Sequence, residues 1–289
     1  MPSRSDPAVI TPQLLRDWPL PVPEGGKDAR GTVLVAGGSR YTPGAVLLAG
    51  VAALRAGAGV LQLAVAESTA AALSIQVPEA LVIGLPETDG GSVAGEPPAP
   101  LRELAAAARV ILVGPGLDDV DLAGELLRHL LDEAGARTGV VLDAYALGAL
   151  SRDPELLSGR SQPVILTPNR TEAGYLLGRE PEDDVTRDAV ELADRYGAVV
   201  ALYGTIATPD GRTWREESGD AGLGTSGSGD VKAGIAAGLL SRGTDPAQAA
   251  CFGAHVHAVS GQRLIPRFGR IGYLARELLD EIPSTLATL

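Results

Sequence analysis

The sequence predicts one α/β domain built on a mostly parallel central sheet with helices on both faces. Short, consecutively apolar runs alternate with helical segments, and a strand that is apolar at every position is one buried on both faces. No linker or internal repeat divides residues 1–289, a length ordinary for one such domain. The residues of chemical character fall just past the strands, the edge at which such sheets bind ligands.

The elements follow in order. Met1 to Pro23 reads as a Pro-rich, charged N-terminal arm. Thr32 to Ala36 is a buried strand ending in Gly37-Gly38-Ser39. Gly44 to Ala56 is a helix apolar almost all round, so it is expected to be covered on several sides. Strand Val60 to Ala66, helix Glu67 to Ile75 and short strand Ala80 to Ile83 come next. The Gly- and Pro-rich stretch from Pro86 to Pro100 reads as a surface loop. Leu101 to Ala108 is helical, Val110 to Val113 a strand closed by Gly114-Pro115-Gly116, Leu122 to Glu133 an amphipathic helix, and Gly139 to Asp143 a strand. Val164 to Leu166 is a strand, Glu172 to Leu177 a short helix and Val185 to Tyr196 a longer one. Val199 to Tyr203 and Thr205 to Thr208 read as strands, with Pro209-Asp210-Gly211 turning the chain into Thr213-Trp214. Helices from about Asp230 to Ser241, Pro246 to Leu264 and Tyr273 to Ile282 complete the order.

Apolar residues make up 45% of the chain and aromatics 3%, so the core is expected to be aliphatic. A net charge of -12 argues against nucleic acid or an anionic membrane as the main partner. The longest apolar run, Ala45 to Leu54, is closed by Arg55 and is too short for a membrane span. The arm lacks the apolar centre of a signal peptide, so a cytoplasmic location is expected. The lone Cys251 lies in an apolar helical stretch and reads as structural filler. The same net charge repels an anionic substrate. Binding one requires a local device: a helix end, convergent amides or a divalent cation.

Gly224-Thr225-Ser226-Gly227-Ser228-Gly229-Asp230, leading into an Ala-rich apolar helix, has the form of such a device. Small residues let a turn bring its N–H groups close to an anion, and the helix N-terminus adds roughly half a positive charge. An acid at that spot suits proton removal from an attacking hydroxyl, which reads as phosphoryl transfer to an alcohol. The simpler reading is a Gly/Ser loop with Asp230 as helix N-cap.

With these residues in hand, the chain resembles the ADP/ATP-dependent NAD(P)H-hydrate dehydratases of the ribokinase-like superfamily. The resemblance spans nearly the whole chain in order: Gly37 to Ala45 is similar to a glycine loop with a Tyr-Thr-Gly-Ala element, and Val77-Pro78-Glu79-Ala80 to a Pro-Glu motif. Gly114-Pro115-Gly116-Leu117 is similar to a Gly-Pro-Gly-Leu turn, Leu142 to Leu147 to Leu-Asp-Ala-Asp-Ala-Leu, and Ser228-Gly229-Asp230 and the tail from Arg267 to Pro283 complete the series. The resemblance implies that ADP, or ATP, phosphorylates the ring hydroxyl of hydrated NADH or NADPH, after which phosphate leaves and the double bond returns. It implies Asp230 as catalytic base; Ala45, Gly116, Asn169 and Asp230 around the substrate; and Gly227, Ser228 and Gly229, with Tyr203, Gly204, Thr205, Ile206 and Ala207, around the nucleotide. Mg²⁺ and a homotetramer are implied as well.

The pattern breaks in places. A family His-Pro-Gly-Glu element is Asn169-Arg170-Thr171-Glu172 here, and His129, His255 and His257 lie elsewhere in the sequence. The second Asp of Leu-Asp-Ala-Asp is Tyr145. The region after Val199-Val200, where a Lys-Gly-Ala-x-Thr element is expected, is shortened, and the chain has only Lys27 and Lys232. Asn169 and Glu172 are similar to an Asn-x-x-Glu element of small-molecule kinases that organises Mg²⁺ through water; the same pair also suits a helix-capping box. Arg170 offers the missing positive charge, but it reads first as a solvated surface arginine. Three readings compete: the dehydratase, a ribokinase-like small-molecule kinase, and a nucleotide-binding paralogue without catalysis.

Overall fold

The computed structural model describes residues 6–289; the first five residues of the N-terminal arm lie outside the described residues. A ten-stranded sheet organises the chain, in the order β1-β10-β9-β8-β7-β6-β5-β2-β3-β4. Its parallel body comprises β2 (Thr32–Ala36), β3 (Val60–Ala66), β4 (Ala80–Leu85), β5 (Val110–Val113), β6 (Gly139–Leu142), β7 (Val164–Leu166) and β8 (Val199–Leu202). The antiparallel strands β9 (Thr205–Ala207) and β10 (Thr213–Arg215) extend one side, and β1 (Ala8–Val9) closes it, parallel to β10.

The arm is thus part of the fold. Its strand β1 and its helix α1 (Pro12–Arg16) bring Ile10 and Leu15 into the core, and Trp18 stacks on Trp214 with ring centroids 5.9 Å apart. A low-complexity, Pro-rich segment conceals this, because two paired residues carry no readable period.

Consecutive side chains of each strand point to opposite faces, which splits the core into two layers. Val33 and Val35 join the layer built with α2 (Pro43–Arg55), α9 (Ser228–Ser241), α10 (Pro246–Phe268) and α11 (Ala275–Leu286). Leu34 and Ala36 join the layer built with α4 (Ala99–Ala107), α5 (Val120–Glu133), α6 (Tyr145–Arg152), α7 (Arg170–Leu177) and α8 (Val185–Tyr196). Helix α3 (Glu67–Gln76) connects β3 to β4 and buries Leu73. Cys251 is fully buried within α10, as filler should be.

The expected strands match within a residue or two. Several helices differ. Helix α6 was not anticipated, although Ala146, Leu147, Ala149 and Leu150 form a buried helical stripe. Helices α10 and α11 run on through Pro266 and Pro283 instead of stopping before them. Both prolines fall near the helix C-termini, where the chain forgoes one N–H bond and continues. Helix α9 starts at Ser228, with Gly227 as N-cap, so Asp230 is its third residue and not its cap.

Helices α2 and α9 lie almost in backbone contact. A Cβ on Gly234 would collide with the carbonyl of Ala49, and one on Gly238 would collide with the carbonyl of Ala53 and sit 2.8 Å from its Cα. Four-residue spacing places both glycines on one helical face, opposite Ala49 and Ala53 at the same spacing. Replacing Gly238 by Ala gains about 1 kcal/mol of helix propensity but forces the backbones apart. The expected outcome for Gly238→Ala is a net loss of about 2 kcal/mol in denaturant unfolding; a stabilised variant would contradict this packing.

Candidate active site

Strands β2, β5, β6, β7 and β8 are neighbours and parallel, so all five end on one edge of the sheet. The chain beyond each of them contributes one part of a site.

Beyond β2 and β5, two glycine loops interlock. The Gly38 N–H donates to Pro115 O and the Ser39 N–H to Gly116 O, both at 2.8 Å, and Thr42 Oγ1 donates to Gly116 O at 2.6 Å. Gly116 sits at φ 71°, and a side chain there would strike the Thr42 carbonyl and crowd Ala45. Ala45, in the first turn of α2, and Gly116 are therefore neighbours.

Beyond β6, Asp143 is buried and accepts a bond from Thr167 Oγ1 at 2.7 Å. Burial pushes its pKa up, while the Thr167 bond and the nearby Lys232 ammonium oppose the rise. The next residue, Ala144, is held at φ 49°, a conformation that costs a non-glycine residue energy. Beyond β7, Asn169 Oδ1 accepts from the Glu172 N–H and Glu172 Oε2 accepts from the Asn169 N–H, each at 2.9 Å. This is a capping box for α7, so the capping reading of the pair is realised. Arg170 takes no part in the site; its guanidinium bonds the carbonyls of Pro181 and Glu182.

Beyond β8, Tyr203 at φ 50° and Gly204 at φ 84° make a two-residue hairpin to β9 with both φ positive, which leaves Tyr203 exposed. Tyr203 and Gly204 line a cavity of about 610 Å³. Thr205, Ile206 and Ala207, grouped with them from the sequence, are buried inside β9 and do not line it, because pairing with β8 and β10 draws them into the sheet.

The N-terminus of α9 forms the remaining wall. Gly227 has φ 88°, and a Cβ there would crowd Ala275, so the turn requires glycine. The N–H groups of Gly227, Gly229 and Asp230 have no protein partner among the described residues, whereas the Ser228 N–H is taken by Thr225 O at 3.2 Å. Unpaired amides at the positive end of a fourteen-residue helix make an anion site. Ser228, Gly229 and Lys232 face the 610 Å³ cavity; Asp230 does not line it. A helix turns about 100° per residue, so Asp230 points away from the face shared by Ser228 and Lys232.

Asp230 is half-buried, and its pKa is pushed up to about 7, first by burial and then by the Asp143 and Glu172 carboxylates. Glu172 is raised by burial and by Asp143. Among the described residues, no three His, Cys, Asp or Glu side chains converge closely enough to hold a metal ion directly.

Sequence reasoning passed over two participants. His257, from α10, lines the cavity and pairs its Nε2 with Ser228 Oγ at 2.8 Å. Burial, together with Lys232, drives its pKa down to about 3, so the ring is neutral. Lys232 also lines the cavity, its Nζ donating to Ala201 O at 3.4 Å. The available signal was polarity: Lys232 stands in α9 next to a run that is apolar or small from Ala233 to Leu240, and His257 lies in a stretch of α10 buried from Ala247 to Ala258.

The family model for NAD(P)H-hydrate dehydratase matches residues 33–284. The chain belongs to the NAD(P)H-hydrate dehydratase family. It is 42% identical over 286 residues to the ADP-dependent (S)-NAD(P)H-hydrate dehydratase of Xanthomonas campestris pv. campestris, covering 97% of this chain and 96% of that one. It is 37% identical over 272 residues to the bifunctional NAD(P)H-hydrate repair enzyme Nnr of Moorella thermoacetica, spanning 51% of that longer protein. Among solved structures, the ADP/ATP-dependent NAD(P)H-hydrate dehydratase of Bacillus subtilis, co-crystallized with ATP/Mg²⁺, superposes with a TM-score of 0.82 at 29% identity and covers 98% of both chains. That likeness carries the ribokinase-like expectation for the fold. No helix among the described residues is long and apolar enough to cross a membrane.

The raised Asp230 pKa has a sign in stability. An acid whose folded pKa exceeds its unfolded value of 3.8 favours the fold while protonated, and that contribution is lost as pH rises through about 7. Asp230→Asn mimics the protonated acid. Its melting temperature is expected to exceed that of the parent protein at pH 8 and to equal it near pH 4, measured by thermal unfolding across pH.

Proposed function

We propose that this protein is a nucleotide-dependent dehydratase, a lyase that returns hydrated NADH or NADPH to the reduced dinucleotide with ADP, or alternatively ATP, as phosphoryl donor. The observation that carries the proposal is the α9 N-terminus, whose unpaired amides stand between an open cavity and a half-buried acid. Family membership supports the same reading.

In this reading the nucleotide lies in the cavity beside Tyr203, Gly204, Ser228 and Gly229. The hydrated nicotinamide lies towards Ala45 and Gly116 and reaches Asn169, which lines the same cavity as the nucleotide. Asp230, as carboxylate, takes the proton of the ring hydroxyl, whose oxygen attacks the terminal phosphorus of ADP and releases AMP. Hydroxide is a poor leaving group and phosphate a good one, so the C–O bond of the phosphate ester then breaks, the departing phosphate takes a proton from the neighbouring ring carbon, and the ring double bond re-forms. The amides of Gly227, Gly229 and Asp230 stabilise the charge on the moving phosphoryl group, on the order of 3 kcal/mol for a well-aimed donor.

The donor set fits a hard divalent cation held through water. Asp143 raises the pKa of Glu172, and both raise that of Asp230, a surplus of negative charge that such an ion relieves. Glu172 and Asn169, with Asp143, would hold it, and Mg²⁺ when bound neutralises nucleotide phosphate charge. The kinase reading drew on Asn169 and Glu172, and those residues cap α7. A homotetramer in the cytoplasm belongs to the same proposal.

Purified protein supplied with hydrated NADH, Mg²⁺ and ADP or ATP is expected to regain the near-ultraviolet absorbance of the reduced ring and release inorganic phosphate. A flat trace with both nucleotides rejects the dehydratase, a phosphorylated product that persists supports the kinase, and binding without turnover supports the inactive paralogue. Asp230→Asn is expected to lower kcat by about 100-fold or more with nucleotide affinity little changed. Because the base works only when ionised, kcat/KM should fall tenfold per pH unit below about 7.

A further inference from the structure

We propose that Lys232 grips the terminal phosphate of the nucleotide, acting as a substrate-binding residue of the phosphoryl-transfer site. The inference rests on the phosphoryl-transfer reading above and assigns that reading's one fixed cation.

Among the residues that line the cavity, Lys232 is the only cationic side chain. Three acids share the wall. Glu216 is engaged by a buried bond to His255 Nδ1 at 2.7 Å and by the Ser218 N–H at 2.7 Å. Asp220 is engaged by the Arg270 guanidinium, with contacts of 3.0 to 3.2 Å. Glu217 remains as an uncompensated negative charge on a wall that must accept an anion.

An ammonium group has three N–H donors. Lys232 uses one, on Ala201 O at a long 3.4 Å, and forms no ion pair among the described residues despite standing in the field of Asp143 and Glu172. Two donors are left over in a half-buried setting, where unpaired N–H groups carry a cost. A ligand with several anionic oxygens satisfies both.

Position agrees with chemistry. Lys232 lies four residues, one helical turn, beyond Ser228, so the two share a face of α9 and both line the cavity with Gly229. Ala201 is the next-to-last residue of β8, and the chain turns from there into Tyr203 and Gly204 on the same wall. The ammonium therefore stands between the strand end and the open amides of the helix, where the last phosphate of an entering nucleotide meets the helix N-terminus.

The test is calorimetric binding of ADP and AMP, each with Mg²⁺, to the parent protein and to Lys232→Met, with steady-state kinetics on hydrated NADH alongside. The expected result is a weakening of ADP by 10-fold or more, AMP changed less than twofold, KM for ADP raised in parallel, and KM for the hydrate unchanged. Lys232→Gln, smaller and polar, serves if the methionine variant does not fold, and Lys232→Arg is expected to recover part of the ADP affinity. Equal ADP affinity in variant and parent, or equal losses for ADP and AMP, overturns the assignment and leaves Lys232 as a counter-charge for Asp143 and Glu172. The binding readout does not need turnover. A parent protein that binds ADP more tightly than AMP through Lys232 but leaves the hydrate unchanged supports the inference while the dehydratase reading fails.

Discussion

The site depends on the near-contact of α2 and α9. One helix follows the glycine loop of β2 and carries Ala45; the other opens with the amides of Gly227 and Gly229 and carries Asp230. Gly234 and Gly238 admit the carbonyls of Ala49 and Ala53 where any side chain would collide. Because both helices are stiff and start at the same edge of the sheet, their closeness further along fixes the spacing of their N-termini. Close backbone approach maximises dispersion contact and leaves little freedom for relative sliding. A glycine pair deep in an apolar helix thus sets the distance between residues near the two helix tips.

The second constraint is charge. An acidic protein that receives an anionic nucleotide must reverse its own field over a few ångströms. The fold does this with helix-end amides on one side of the α9 tip and a half-buried lysine on the same helix, while the wall acids Glu216 and Asp220 are held by His255 and Arg270. On the far side, burial first, and then the Asp143 and Glu172 carboxylates, raise Asp230 into the range where a carboxylate is basic enough to accept a proton near neutrality. The turn from the Lys232 face to the Asp230 face is a property of the helix itself: two residues apart, the side chains point in nearly opposite directions.

Local strain serves the same end. Ala144 and Tyr203 are the two non-glycine residues with positive φ among the described residues, and each follows a strand at the site edge. The first turns the chain sharply after Asp143; the second holds the short hairpin that brings Tyr203 to the cavity. Both conformations persist because the strands before them are fully buried and cannot adjust.

The sequence by itself determined the strands, most of the helices and the identity of the α9 tip, because these are local properties: an apolar run is buried wherever it goes, and a Gly-rich turn before an apolar helix exposes amides in any fold. It also marked the strand-end residues Gly38, Gly116, Asp143 and Asn169. Pairing decided the rest. His257 is distant from the other site residues in sequence, and the packing of α10 against α9 brings it to the wall that Lys232 lines. The carbonyls of Pro181 and Glu182 hold Arg170, and pairing with β8 and β10 drew Thr205 to Ala207 into the sheet. Local pattern reports what a segment buries; the direction in which a long polar side chain leaves a buried helix is set by its neighbours, and those exist only once the chain has folded.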